Sequence, residues 1–241
     1  MIGLVVSRAD SASVNVGEAL RSLAEWERHE DPASDADGGG TYYRHGDFEL
    51  REFEEWHLEL DGVADAFSGA PEFVAFLSRH AGETGPLLTA HFTGNFGPAE
   101  YGGSPGELSR ACPNVQRAVV EAFDRHAPDG YEVGIECTHH GPSDVGAPSL
   151  FVELGSSESE WEDPEGARAV ARAVLELSGV AADARAGAYL ADAAVQASIS
   201  TVRVNAAALS DRSFAETMTA RADALSASAA DVRSEVLGSC Y

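Results

Sequence analysis

Two periods organise the apolar positions of this chain. Ile2 to Val6 is an unbroken apolar run that predicts a first, buried strand, and the short polar side chains from Ser7 to Ser11 suit a turn and a helix cap. Val16, Leu20, Leu23 and Trp26 then recur at helical spacing, with Glu18, Arg21, Glu25 and Arg28 elsewhere on the wheel. Asp31 to Gly40 has the composition of a surface loop. Strands are predicted at Tyr42–Arg44, at Phe48–Phe53 and at Trp56, Leu58 and Leu60, where His57 and Glu59 take the opposite face. Pro71 suits the first turn of a helix carrying Phe73, Phe76, Leu77 and His80.

Further along, Leu87 to Phe92 reads as a buried strand that delivers His91. It ends at Thr93-Gly94-Asn95 and a glycine-rich loop running through Gly106. Pro113 opens a helix with Val115, Val119, Ala122 and Phe123 on one stripe. From Tyr131 the chain alternates again. Val133, Ile135 and Cys137 share one face, and Glu132, Gly134, Glu136 and Thr138 the other. Ser149–Leu154 is a further strand, and Asp163-Pro164 caps a helix with Ala167, Val170, Ala171, Val174 and Leu177 inward. Strands alternating with helices predict an α/β domain over residues 1–179, with a parallel or mixed central sheet flanked by helices. Residues 180–241 are rich in Ala and Ser and carry no obvious chemistry, which predicts a helical or disordered extension.

Composition changes this picture in one respect. Asp and Glu number 40 against 16 basic residues, the net charge is -24, and every basic residue is arginine. With 44% hydrophobic residues in regular blocks the chain is nonetheless a folding one. An acidic coat of this kind fits a halophile, since the Debye length shrinks to about 3 Å in molar salt and surface repulsion is screened. It therefore does not exclude RNA as a partner. Cys112, Cys137 and Cys240 form no CxxC pair, which argues against a disulfide framework and for a reducing, cytoplasmic compartment. The opening MIGLVV is too short to span a membrane and lacks a basic segment before it, so no membrane partner is expected.

Candidate chemistry concentrates in YEVGIECTHHGP, Tyr131 to Pro142, where Gly141-Pro142 stops the strand and Glu136, Thr138 and at least one imidazole can converge. His139 and His140 diverge on an extended chain but can both reach a site at a turn. Imidazoles with a carboxylate suit zinc; a hydrogen-bonded His–Glu network that orients substrate is the alternative, and spacing does not choose between them. Glu153 shares a face with Phe151 and needs a partner if buried. Ser156 and Ser157, before a helix start, offer amides to a phosphate. His29, His45, His57, His80 and His126, taken singly, read as surface or packing residues, although His80 lies just before the loop that enters the His91 strand. The sequence holds no HExxH, Walker loop or GxGxxG.

Four blocks taken in order, VVSRADSAS, GETGPLLTAHFTGNFG, YEVGIECTHHGP and FVELGSSESEW, resemble the D-aminoacyl-tRNA deacylase family of archaea and plants over about residues 1–178. The family's further GGGHY-type segment has no counterpart after Gly179. The resemblance implies a fold similar to those of peptidyl-tRNA hydrolase and nucleoside phosphorylases. It also implies hydrolysis of the ester between a D-amino acid and the 3′ end of tRNA, with zinc as cofactor. The positions that fall within matching blocks are His91, Asn95, Glu136, His139, His140 and Glu153. We expect His91, Glu136, His139 and Asn95 to be catalytic, with a metal drawing ligands from His91, Glu136, His139, His140 and Glu153. The oxyanion is expected to meet Asn95 or the turn amides after Glu153. A monomer acting on tRNA is expected. A homologue that binds tRNA or nucleotide without turnover, and a nucleoside or phosphate-ester enzyme on a related fold, are the alternatives.

Overall fold

The Ile2–Val6 run becomes β1 (Ile2–Ser7), an inner strand of an eight-stranded mixed sheet in the computed structural model. The structure describes residues 1–33, 38–180, 199, 200, 202–206, 209 and 211–238. β1 runs parallel to β4 (Phe48–Phe53) on one side and β5 (Phe73–Ala81) on the other. Beyond β4 lie β3 (Gly40–His45) and β2 (Glu27–Asp31), both antiparallel. Beyond β5 come β10 (Ser149–Ser156), parallel to it, then β6 (Leu87–Phe92), antiparallel to β10, and the edge strand β8 (Glu132–Ile135). The α/β expectation therefore holds in its mixed form. A separate two-stranded ladder joins β7 (Gly94–Asn95) to β9 (His139–His140).

One face of the sheet packs against α1 (Ser11–Leu23), α2 (Pro113–His126) and α4 (Pro164–Leu175) through Leu4, Val6, Ala75, Leu77, Val152 and Leu154. Asp10 caps α1, accepting from the amides of Ala12 and Ser13, and Asp163 caps α4 through the amide of Glu165. The short helix α3 (Glu158–Trp161) lies between β10 and α4. The other face buries Val5, Phe53, Phe67, Val74, Phe76 and Phe151 beneath loops.

Three local expectations are corrected. Phe73–Ala81 is a strand and not a helix. Phe73, Ala75 and Leu77 enter one core while Val74 and Phe76 enter the other, so a central strand buried on both faces mimics the apolar run of a helix. Trp56–Leu60 is not a strand but surrounds a single 3-10 turn, His57–Glu59. At the edge, Ile135 points outward, 61% exposed, and Cys137 is exposed, while Glu136 is half-buried. β2 was not anticipated, because its sequence ERHED is polar throughout and sits at the far edge of the sheet. The predicted Asp31–Gly40 loop shrinks to the link between β2 and β3, with residues 34–37 outside the described residues.

The chain divides into two units, Met1–Ala181 and Ala182–Tyr241. In the second, Arg212–Gly238 forms one helix, as its alanines favour. The expectation for residues 182–200 falls almost wholly outside the described residues, as does Cys240. No helix among the described residues is long and apolar enough to cross a membrane.

Candidate active site

Register builds the floor of the site. Phe151 of β10 sits opposite Phe76 of β5 and His91 of β6, so the three rings line up on the face away from the helices. Phe151 stacks on Phe76 with centroids 4.9 Å apart and on His91 at 5.2 Å. His57 packs edge-on to both phenyl rings. Two residues further along β10, Glu153 projects from the same face and is almost fully buried.

The β7–β9 ladder answers how two adjacent histidines can serve one site. Asn95 pairs with His139 and Gly94 with His140, which folds both imidazoles back over β6. The His91 ring lies 4.7 Å from that of His139 and 4.6 Å from that of His140. In each of the three histidines Nδ1 faces a backbone carbonyl: Phe92 O at 2.7 Å, Cys137 O at 2.7 Å and Gly141 O at 3.2 Å. A carbonyl only accepts, so each Nδ1 carries a hydrogen, and in the neutral ring each Nε2 keeps a lone pair. Burial and the neighbouring rings push the His140 pKa down to about 3, consistent with a neutral imidazole.

Carboxylates meet these lone pairs. Glu153 Oε1 is 3.6 Å from His91 Nε2 and 3.8 Å from His140 Nε2, beyond hydrogen-bond length. His91 Nε2, Glu153 Oε1 and Glu136 Oε2 are all buried without a hydrogen-bond partner. One ligand atom from each of His91, His139 and His140 lies within 4.8 Å of the others, and the same holds for His91, Glu136 and Glu153. Converging acceptors with no donor among them, each imidazole oriented by a backbone carbonyl, are what a divalent cation requires. The donor set therefore fits zinc. With no cation, burial opposes charging of His91, but the adjacent Glu153 carboxylate outweighs it and raises its pKa.

His80 belongs to the site and was not among the expected site residues. Placed on a strand rather than a helix, it projects from the same face as Glu153 and reaches Glu136 Oε1 at 3.1 Å through Nε2. Its Nδ1 lies 3.0 Å from Ser156 Oγ, whose single hydrogen is given to Gly85 O at 2.7 Å. Nδ1 must therefore donate, and the proton facing Glu136 resides on Nε2 or on the carboxylate. The hydrogen bond to Glu136 raises the His80 pKa. Burial would raise that of Glu136, but the contact with His80 lowers it on balance. Both shifts favour the imidazolium–carboxylate form of the pair. The signal that could have found His80 was strand periodicity in β5, which pairs Ser78 with Glu153 and His80 with Gly155.

Asn95 and the turn amides take other work. Asn95 Nδ2 donates to Gly102 O at 2.9 Å and Ser104 O at 3.3 Å, holding the glycine-rich loop rather than facing an oxyanion. The amides of Ser156 and Ser157 both donate to Glu160 Oε2, and the hydroxyl of Ser157 completes the capping box of α3. Neither expected oxyanion donor is free in this arrangement, nor are these amides open to a phosphate.

Fold and site together define an α/β protein with a histidine–carboxylate cluster on the loop-covered face of a mixed sheet. Residues 67–191 match the D-aminoacyl-tRNA deacylase family, and the chain belongs to that family. It is 63% identical over 179 residues to a D-aminoacyl-tRNA deacylase of Haloquadratum walsbyi, a match covering 74% of this chain and 33% of that protein. Identity to the corresponding protein of Halorubrum lacusprofundi is 60% over 200 residues, covering 76% and 41%. For that of Methanospirillum hungatei it is 42% over 179 residues, covering 72% and 36%. The chain thus spans between 33% and 41% of the length of these relatives. A crystal structure of a conserved protein of unknown function shares the fold, with TM-score 0.66 and 32% identity over 73% of this chain and 62% of that one.

Proposed function

We propose that this chain hydrolyses the ester of D-aminoacyl-tRNA, releasing the D-amino acid and free tRNA. The observation that carries the reading is the buried, unpartnered convergence of His91 Nε2, Glu153 Oε1 and Glu136 Oε2 in a member of this family. Zinc would be held by one of two triads that share His91, either His91 with His139 and His140 or His91 with Glu136 and Glu153. When bound, zinc supplies a water acidified to a pKa of about 7 and a charge that polarises the ester carbonyl.

The chain's own groups supply the rest. Glu136, kept ionised by His80, is placed to accept a proton from the attacking water. His80 holds a proton at Nε2, where it can pass to the leaving 3′ oxygen of the terminal ribose, and Ser156 fixes the ring for that transfer. Stacked Phe76 and Phe151 form an apolar floor beneath His91, which strengthens the electrostatic contacts above it. Asn95 keeps the glycine-rich loop against the ladder that carries His139 and His140.

Paired D-tyrosyl-tRNA and L-tyrosyl-tRNA, incubated with the chain in concentrated KCl, test the reading. Release of D-tyrosine well above that of L-tyrosine is expected, and its loss in His91→Ala. Equal, background-level loss of both esters contradicts it, as does tRNA binding without hydrolysis of either.

A further inference from the structure

Arg79 precedes His80 on β5 and points to the opposite side of the sheet. Its guanidinium packs against two indoles, with Cζ 4.5 Å from the Trp56 ring centroid and 4.7 Å from that of Trp161. The clamp is anchored at both ends. Trp161 Nε1 donates to His80 O at 2.8 Å, and the Arg79 amide donates to Asp10 Oδ2 at 2.9 Å, the carboxylate that caps α1. The side chain of Arg79, by contrast, has no hydrogen-bond or ion-pair partner among the described residues. Arg172, Arg212 and Arg221 likewise show none, but of these four only Arg79 is packed on aromatic rings among the described residues. Elsewhere Arg8 meets Glu52 and Glu54, Arg21 meets Glu52, and Arg51 meets Glu49 and Asp31.

A guanidinium packed on ring faces is held in one orientation and keeps its N–H fork, the geometry that matches a phosphate oxygen pair. The α3 amides, the other anion receptor at this end of the sheet, are already taken by Glu160. A chain lying across the carboxyl end of β5 would meet Arg79 on one side and His80, with Glu136 beyond it, on the other. We propose that Arg79, clamped by Trp56 and Trp161, binds a phosphodiester of the single-stranded 3′ end of the RNA substrate and thereby sets the terminal nucleotide over the His91–Glu153 cluster. This rests on the deacylase reading and names a recognition element for its substrate. In an acidic protein at high salt long-range attraction is absent, so affinity for the RNA backbone has to come from a short-range, preorganised contact of this type.

The test is equilibrium binding of the full chain in concentrated KCl to the uncharged dinucleotide CpA, to adenosine and to inorganic phosphate. CpA has the phosphodiester and adenosine lacks it. Wild type is expected to bind CpA about 10-fold more tightly than adenosine, the scale of one charge-assisted bidentate contact. Arg79→Gln should bring CpA down to the affinity of adenosine while leaving adenosine unchanged, and Arg79→Lys should fall between. Equal affinity of wild type for CpA and adenosine overturns the proposal. So does a CpA preference that survives in Arg79→Gln, or Arg79-dependent binding of inorganic phosphate without a CpA preference. Equal wild-type affinities overturn the proposal whatever the variants do, and a partial loss in Arg79→Lys stands as the positive result should Arg79→Gln fail to fold. No ester is cleaved in this experiment, so failure of D-aminoacyl-tRNA hydrolysis would be read separately.

Discussion

His91 Nε2 and Glu153 Oε1 face each other 3.6 Å apart, both buried and neither hydrogen-bonded. With Nδ1 of His91 committed to Phe92 O, the two facing atoms are both acceptors unless a proton or a cation lies between them. A cation bound there would be a thermodynamic partner of the folded state.

Zinc should therefore raise the thermal midpoint of the chelated chain. At a free concentration about 100 times its dissociation constant the gain is about 2.7 kcal/mol. Melting curves with and without zinc check this, and Glu153→Gln should show a much smaller shift. Identical curves for the wild type would remove the metal from the account.

Gly155 supports His80 by having no side chain. A Cβ there would stand 2.6 Å from His80 Cβ and 2.8 Å from its Nδ1. Gly155→Ala should displace the ring from Glu136 and Ser156, lowering the hydrolytic rate at least about 10-fold, as loss of a positioned acid–base group does. Overpacking should cost about 1–3 kcal/mol in stability. Denaturant unfolding alongside initial rates separates the two effects; an unchanged rate in a folded variant would take His80 out of the chemistry.

His57 gives a pH dependence from a histidine outside the cluster itself. It is fully buried against Phe76 and Phe151, with Ser13 Oγ 3.1 Å from Nε2 and Asp10 Oδ2 3.9 Å from Nδ1. Burial lowers its pKa, opposed by Asp10 and the carbonyl of Leu77 and aided weakly by Arg79. The unfolded chain then binds a proton near pH 6.5 that the folded chain refuses. This contribution to stability is complete above the unfolded value and is lost as pH falls below it toward the folded one, at up to about 1.4 kcal/mol per pH unit. His57→Gln should flatten that acid limb between pH 6.5 and 5 in chemical unfolding curves. A limb of unchanged steepness would contradict the assignment.

Much of this site could be read from sequence, for identifiable reasons. Glu153 stood out because Leu150, Val152 and Leu154 take the opposite face, and the structure buries it beside His91. His139 and His140 stood out by adjacency, although only the pairing of β9 with β7 explains how both rings reach His91. His80 was hidden because Phe73, Phe76 and Leu77 fit a helical stripe equally well, and only the neighbouring strands show that both faces of β5 are covered. Asn95 pairs with His139, but its donors go to Gly102 and Ser104, a loop contact that no spacing rule encodes. The polar strand β2 had no apolar period to reveal it.

The most direct test of the central claim is the initial rate of D-tyrosine release from D-tyrosyl-tRNA by the full chain in concentrated KCl, measured as purified, after chelation and after zinc is restored. Our account predicts release that falls to background on chelation and returns with zinc. A rate that chelation leaves untouched, or one that never exceeds the uncatalysed loss, would contradict it.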